Sequence, residues 1–417
     1  MRITDSRHTI WWIVGIALAL RLAAIPLLGS DPENNNLFEY GRIAWNIVQG
    51  NGFSFDFYGR YPLQPTAYSP ALYCYSLVPW FALFGINFLG PRLMHAVFLA
   101  AVAWFLFKIG EKLANRRVGL LAAAIWALYP EMIFLGIRMA PENLMFPLML
   151  AMLWLVSAPE VQTFRRTALA GGMLTGLAAW ANPSLQVLGV VVPAHWWLNG
   201  HLKGREGWKR LALFVAGGIL VVAPWTVRNY IKLGAFVPLR TAFAFNVWRG
   251  NHIGATGTCR NFDYTNVDET LPKEYAEYVE AHLLPNEVAR DRFFASEVKK
   301  FISENPGVYL KLTLRRLGYY WWRDPTHPLT GSIWFIGPWL LLLIFAVVGF
   351  YSQRKALRKW WLWLLQIMGF TVLFSLTIVV PRYRMPMLPA LMLLAAAGVD
   401  DLWDRWIPEI KHKTGKG

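Results

Sequence analysis

The residues able to do chemistry in this chain are two glutamates and a set of arginines beside the ends of long apolar runs. Glu39 and Arg42 lie in FEYGR, with Arg60 later in the same polar stretch; Arg138 and Glu142 lie in IRMAPENL. Arg228 lies in APWTVRNY, and Arg382 and Arg384 lie in VVPRYRMP. Ionisable groups at membrane depth are costly and usually functional. Arginines that converge at one interface suit a phosphate or pyrophosphate, because the guanidinium fork matches its oxygens and stays charged. A carboxylate beside them suits a general base that activates a nucleophile. A lipid-linked phosphate meets both requirements.

Plainer roles compete for each residue. Glu39 could pair with Arg42 on a solvated helix face, and Glu142 could be a charge favoured by the helix dipole after Pro141. Arg382 and Arg384 could anchor lipid head groups by snorkelling. Against that, an RYR between two prolines on a turn away from the cytoplasm runs counter to the positive-inside trend. The eight histidines have no ligand spacing, so a histidine metal site is not expected. Asp31, Glu33, Glu39 and Glu142 are hard oxygen donors that suit Mg2+ or Mn2+ if they converge. No phosphate-binding glycine loop precedes a helix, so nucleotide-driven chemistry has no support.

The elements that must position these residues follow from composition and pattern. Of 417 residues 56% are hydrophobic and only 16% charged, which places the chain among polytopic membrane proteins. Its 22 Trp and 16 Tyr suit aromatic belts at both interfaces. The net charge of +16 sits mostly in short loops between apolar runs, so topology explains it better than nucleic acid does. The only two cysteines, Cys74 and Cys259, exclude a disulfide framework, and two free thiols are the expected state. Within 31–60, residues 37–48 have helical spacing, with Leu37, Tyr40, Ile43, Ala44 and Ile47 on one face. That face suits a helix lying in the membrane interface, with Glu39 and Arg42 turned to the aqueous edge.

Orientation rests on one segment. The first span, 10–28, follows Arg2 and Arg7, which predict a cytoplasmic N-terminus and a retained anchor. If 69–88 crossed the membrane, every later basic loop would fall outside. If it does not, those loops, such as Lys108 to Arg117 and Arg354 to Lys359, all fall inside. Residues 69–88, with Pro70 and Pro79, therefore read as an interfacial or re-entrant hairpin. The later spans are then 92–107, 118–137, 141–157, 167–181, 183–198, 211–227, 333–351, 360–380 and 385–399, giving ten with both termini cytoplasmic. The fold class is thus all-α and polytopic, with interfacial helices and a small exoplasmic lid. The expected division is a transmembrane core 1–227 with its first loop at 29–90, a lid 228–331 and C-terminal helices 332–417. Within the lid, 285–303 and 308–322 read as helices, the first presenting Val288, Phe294, Val298 and Phe301 on one face.

Several passages resemble the GT-C superfamily of polytopic glycosyltransferases, and within it the branch of protein O-mannosyltransferases and the lipid A aminoarabinose transferase. They are FEYGRIAWNIVQGNGFSFDF, QPTAYSPALYCYSLVPWFALFG, ALYPEMIFLGIRMAPENLMF, APWTVRNYIKLGAFVPLR, FISENPGVYLKLTLRRLGYYWW and VVPRYRMPMLPALMLLAAAG, in order along nearly the whole chain. The resemblance implies transfer of a sugar from a polyprenyl-phosphate donor to a glycan, lipid or protein acceptor outside the cytoplasm. It also implies a catalytic carboxylate in the first loop and an inverting outcome. The family usually has an Asp where Leu37 stands, so Glu39 takes the place of the base, with Asp31 and Glu33 in reserve. Glu142 matches a second acidic position. Arg382 and Arg384 match an RYR–Pro element expected to hold the donor phosphate, with Arg228, Arg138 and Arg60 assisting. Tyr40, Arg42 and Asn251 are assigned to substrate binding. The implied location is a bacterial inner (plasma) membrane with a periplasmic active site. A transporter or flippase of a lipid-linked saccharide is the competing class, but no internal repeat or paired broken helices support it.

Overall fold

The computed structural model describes residues 8–157, 164–267 and 286–414. Six helices are long and apolar enough to cross a membrane: Thr9–Leu28, Leu89–Leu113, Gly204–Leu233, Ile333–Ser352, Arg354–Leu376 and Pro381–Arg405. The first four are α1, α4, α10 and α14; the last two contain α15 (Leu357–Leu376) and α16 (Leu388–Thr414). Shorter helices complete the bundle: α5 (Arg116–Leu128), α6 (Pro130–Leu135), α7 (Glu142–Val156), α8 (Phe164–Ala181) and α9 (Leu188–Leu198). All ten segments expected to span are therefore helical. α16 is the innermost. The apolar residues from Ala390 to Ala397 are each at most 3% exposed.

The helices meet through small residues, which let backbones approach closely where burial of apolar area drives little association. A Cβ on Gly349 of α14 would lie 1.8 Å from the Leu394 carbonyl of α16, and one on Gly398 2.3 Å from the Phe345 carbonyl. The same device joins α8 to α10, where a Cβ on Gly172 would lie 1.9 Å from the Phe214 carbonyl. At one end of the bundle Arg117 of α5 is paired with Asp400 and Asp404 of α16 at 2.8 and 2.6 Å.

Prolines shape the opposite end. Pro130 cannot continue the ladder and pushes Tyr129 to an extended ψ of 116°, so the expected 118–137 span breaks into α5 and α6. Asn182 before Pro183 (ψ 111°) separates α8 from a 3-10 turn, Pro183–Val187, and α9. Val380 before Pro381 (ψ 155°) opens a second 3-10 turn, Pro381–Met387, ahead of α16. The same end carries the first loop: α2 (Phe38–Val48), a two-stranded hairpin of β1 (Ser54–Phe55) and β2 (Gln64–Pro65), and α3 (Ala71–Phe84). As expected, α2 buries Ile43 and Ala44 completely and keeps Arg42 exposed. The hairpin expected at 69–88 is instead one 14-residue helix, α3, ended by Gly85 at φ 66°. At 1.5 Å per residue it is about 21 Å long, short of a hydrocarbon core of about 30 Å. It packs on α2 and α8.

The lid comprises α11 (Phe243–Arg249), α12 (Glu287–Glu304) and α13 (Pro306–Trp321); its 268–285 segment, with the expected start of α12 at 285, lies outside the described residues. Phe294 and Phe301 of the predicted apolar face are 0% and 6% exposed. A clasp ties α12 to the first loop: Glu287 Oε1 accepts from the Ala67 N–H at 2.7 Å and Oε2 from the Thr66 hydroxyl at 2.5 Å. Burial raises that carboxyl above its ordinary value. Next to it, buried Arg290 packs over Phe57, Tyr68 and Phe245.

Candidate active site

Two cavities open at the proline-broken end, of about 400 and 830 Å³. They share a wall made by Tyr40, Pro141, Glu142 and Arg382. Glu142 is the first residue of α7 and only 7% exposed, held there by the helix that Pro141 starts. Arg382 is held by the 3-10 turn after Pro381; its exposed surface is cavity wall on both sides. The two are electrostatically coupled. Among the described residues neither side chain makes a hydrogen bond or an ion pair within 4 Å, and both line the two cavities. Tyr40 lines both cavities with them and lies edge-on to Tyr73 at 5.5 Å. Its phenol lies within electrostatic range of Glu39, Arg382, Glu142 and Arg240, and burial foremost keeps it protonated.

Glu39 lines only the larger cavity. Its Oε2 accepts from the Tyr58 hydroxyl at 3.1 Å, and Oε1 has no hydrogen-bond partner among the described residues. Burial first, and the Glu39 carboxylate second, raise the Tyr58 phenol well above its ordinary value, so it stays a donor. The backbone that delivers this pair is strained: Phe38 has φ 47°, and Phe57 and Tyr58 have φ 47° and 67°. Left-handed backbone at non-glycine residues costs about 1–2 kcal/mol each and persists where surrounding packing imposes it. At Phe57 the packing is the aromatic cluster of Phe53, Phe55 and Phe57 against Trp225, and Phe38 packs on a separate cluster with Tyr73 and Leu77.

Arg138 also lines the larger cavity. The other expected residues do not reach either wall. Arg42 is exposed with its guanidinium 5.1 Å from the Tyr58 ring, and Arg60 is exposed in the loop. Arg228 is a strut for that loop, donating to the Thr66 and Phe53 carbonyls at 2.6 and 2.7 Å. Arg384, 5% exposed, donates to the Tyr319 and Trp322 carbonyls at 2.7 and 3.1 Å and lies over Trp339. Asn251 is fully buried; its Nδ2 donates to the Thr377 carbonyl at 2.6 Å and its Oδ1 accepts from Arg316 at 2.9 Å. Arg316 also donates to the Ser375 and Gly250 carbonyls, so this network docks α13 and α11 against α15. Asn251→Ala is therefore expected to lower the thermal unfolding midpoint, at a cost of roughly 1–3 kcal/mol for the groups left unpaired. Affinity for polyprenyl phosphate should stay unchanged in a binding titration of the same variant.

Sequence reading missed several cavity residues. Tyr129 and Glu131 line the larger cavity because Pro130 breaks the helix, and the residue pair Tyr-Pro was the available signal. Arg249, Arg260 and His327 reach the same cavity from the lid. Arg240 lines the smaller one from the loop after α10. Among the described residues, no three His, Cys, Asp or Glu side chains converge as metal ligands; the side chain of Glu33 is outside them. Cys74 is buried under the first loop while Cys259 lines the larger cavity, and no disulfide joins them.

Residues 69–227 match the family model described as dolichyl-phosphate-mannose-protein mannosyltransferase. No curated protein gives a significant match to the chain. Among solved structures, the apo oligosaccharyltransferase of Archaeoglobus fulgidus superposes with a TM-score of 0.60 at 11% identity, over 99% of this chain and 52% of that one. The same organism's AglB in complex with an inhibitory peptide and a dolichol-phosphate gives 0.57 at 12%, over 99% and 53%. ArnT from Cupriavidus metallidurans bound to undecaprenyl phosphate gives 0.56 at 14%, over 95% and 61%. The chain spans about half the length of the oligosaccharyltransferases it matches. It has the GT-C fold, as the resemblance drawn from its sequence implied.

Proposed function

We propose that this chain is a membrane glycosyltransferase that moves a sugar from a polyprenyl-phosphate donor to an acceptor, with inversion. The carrying observation is the wall of Tyr40, Glu142 and Arg382 between two cavities, with Glu39 on the larger side only. A transferase that binds two substrates at once needs two chambers meeting at one reacting carbon. The fold and the matched family model favour a glycosyl donor, and the solved relatives include one bound to undecaprenyl phosphate and one bound to dolichol-phosphate. In this reading Glu39 takes the proton of the acceptor hydroxyl or amine. The freed electron pair forms the new bond to the anomeric carbon. The old bond from that carbon to the phosphate oxygen breaks with its pair going to the phosphate, whose growing charge Arg382 stabilises. Glu142, fixed at the shared wall, orients the sugar and Arg382. The leaving phosphate ester needs no general acid.

The basic loops gather at the end of the bundle opposite the cavities, as the Arg117 ion pairs mark. With short basic loops cytoplasmic, the cavities face the periplasm or exterior and both termini the cytoplasm. Purified protein in detergent, given polyprenyl phosphate carrying a radiolabelled sugar and cell-envelope extract as acceptor, should move label into the extract. No vesicle is present, so transport gives no signal. Unchanged donor at all acceptor concentrations would overturn the reading.

A further inference from the structure

Resting on that transferase reading, we propose that the smaller cavity holds the donor's sugar and phosphate, that Arg240 and Arg382 bind the phosphate together, and that the sugar is uncharged. Direction comes first. An in-line displacement puts nucleophile and leaving group on opposite sides of the reacting carbon. Glu39, the base, belongs to the larger cavity alone, so the phosphate leaves on the other side of the Tyr40–Glu142–Arg382 wall. The smaller cavity lies there, with apolar side chains of α15 and the 183–187 turn in its lining to meet the first units of a lipid chain.

Charge decides the rest. The smaller cavity is lined by one carboxylate, Glu142, and two guanidiniums, Arg240 and Arg382. Arg240 spends only its Nε, on the Thr241 carbonyl at 3.1 Å, and lies 5.9 Å from the Tyr68 ring, so its two Nη atoms are available. Asp291 is near Arg240 but lines neither cavity and accepts from the Ala244 N–H at 2.9 Å. The single negative charge of a sugar-phosphate diester therefore brings the lined cavity to neutrality. An ammonium on the sugar would leave the cavity with one positive charge in excess, beside two guanidiniums; a uronate would leave it with one negative charge in excess. Burying either unpaired charge is costly.

What remains for the sugar is neutral. Asn182 Oδ1 accepts from Ser184, so its amide N–H groups are free to donate. Gln186 and Asn246 donate to the Pro183 and Ala242 carbonyls at 3.0 and 2.7 Å, so their Oε1 and Oδ1 are free to accept. One donor group and two acceptors suit sugar hydroxyls, and sites built on such pairing reject analogues that leave buried polar groups unpaired.

The test is a binding titration of purified full-length protein in detergent with farnesyl phosphate, bare or carrying a hexose, an amino sugar or a uronic acid. The hexosyl lipid should bind at least about tenfold more tightly than the amino-sugar or uronate lipid. Arg240→Gln should weaken the bare and hexosyl lipids by about tenfold or more, the loss of one charge-assisted hydrogen bond, and Arg240→Lys should recover most of it. Asn246→Ala and Gln186→Ala should weaken the hexosyl lipid and leave bare farnesyl phosphate unchanged. A monodisperse elution profile identifies folded variants. Equal affinity for the charged sugars, or wild-type affinity in folded Arg240→Gln, overturns this inference and leaves the transferase reading standing. No binding of any phosphate lipid by the wild-type protein overturns both.

Discussion

Glu39→Gln is expected to lower the single-turnover rate of sugar transfer by about 10²- to 10⁴-fold, the usual contribution of a positioned general base. Donor affinity should change little, because Glu39 faces only the larger cavity. The substitution keeps shape, and the Tyr58 hydroxyl can still donate to the amide oxygen as it does to Oε2 at 3.1 Å. Folding should therefore survive, checked by the elution profile and melting curve of the variant. Glu142→Gln separates the two carboxylates: lining both cavities, it should change donor affinity as well as rate. If Glu39→Gln turns over like wild type while Glu142→Gln is dead with donor affinity intact, the base is Glu142.

The second large effect is expected at Arg382. Arg382→Gln should reduce transfer by about 10²- to 10³-fold, the scale of removing one donor from a developing oxyanion. It should also weaken donor binding by about tenfold or more. Arg384→Gln, two residues away, should leave donor affinity at the wild-type level and lower the thermal midpoint instead. The reason is local geometry. Residues two apart in a 3-10 helix point about 120° apart, so the RYR turn sends one guanidinium to the cavities and the other into the lid. Arg384 meets the Tyr319 and Trp322 carbonyls there. Measuring donor Kd and melting temperature for both variants decides it; a loss of donor affinity in Arg384→Gln equal to that in Arg382→Gln would defeat the distinction.

The proline positions link these expectations. Pro130, Pro141, Pro183 and Pro381 each stop or start a helix at the same end of the bundle, and each break delivers a polar side chain to a cavity: Glu131, Glu142, Asn182 and Arg382. Helix ends leave unpaired backbone groups and room beside them, which a continuous helix through the bilayer does not. The long helices serve as a frame for that end, held through contacts such as Gly349 against Gly398.

Composition and charge alone determined that this is a multi-pass helical protein and placed the long apolar helices, though not the breaks at Pro130 and Pro183 or the single helix at Ala71–Phe84, because apolar length and basic-loop bias are one-dimensional properties. The interfacial face of α2 and the lid helices were equally readable, since helical period places Ile43 and Phe294 inward whatever the partner. Glu39, Glu142, Arg138 and Arg382 could be nominated from their position at span ends. What sequence could not separate was a guanidinium facing a ligand from one bonded to main chain. Arg228, Arg384 and Asn251 sit in passages as suggestive as any, yet their partners are carbonyls and an arginine far along the chain. Arg240 and Glu131 were passed over for the converse reason. Which polar groups face open space depends on how helices cross, and only the tertiary structure decides that.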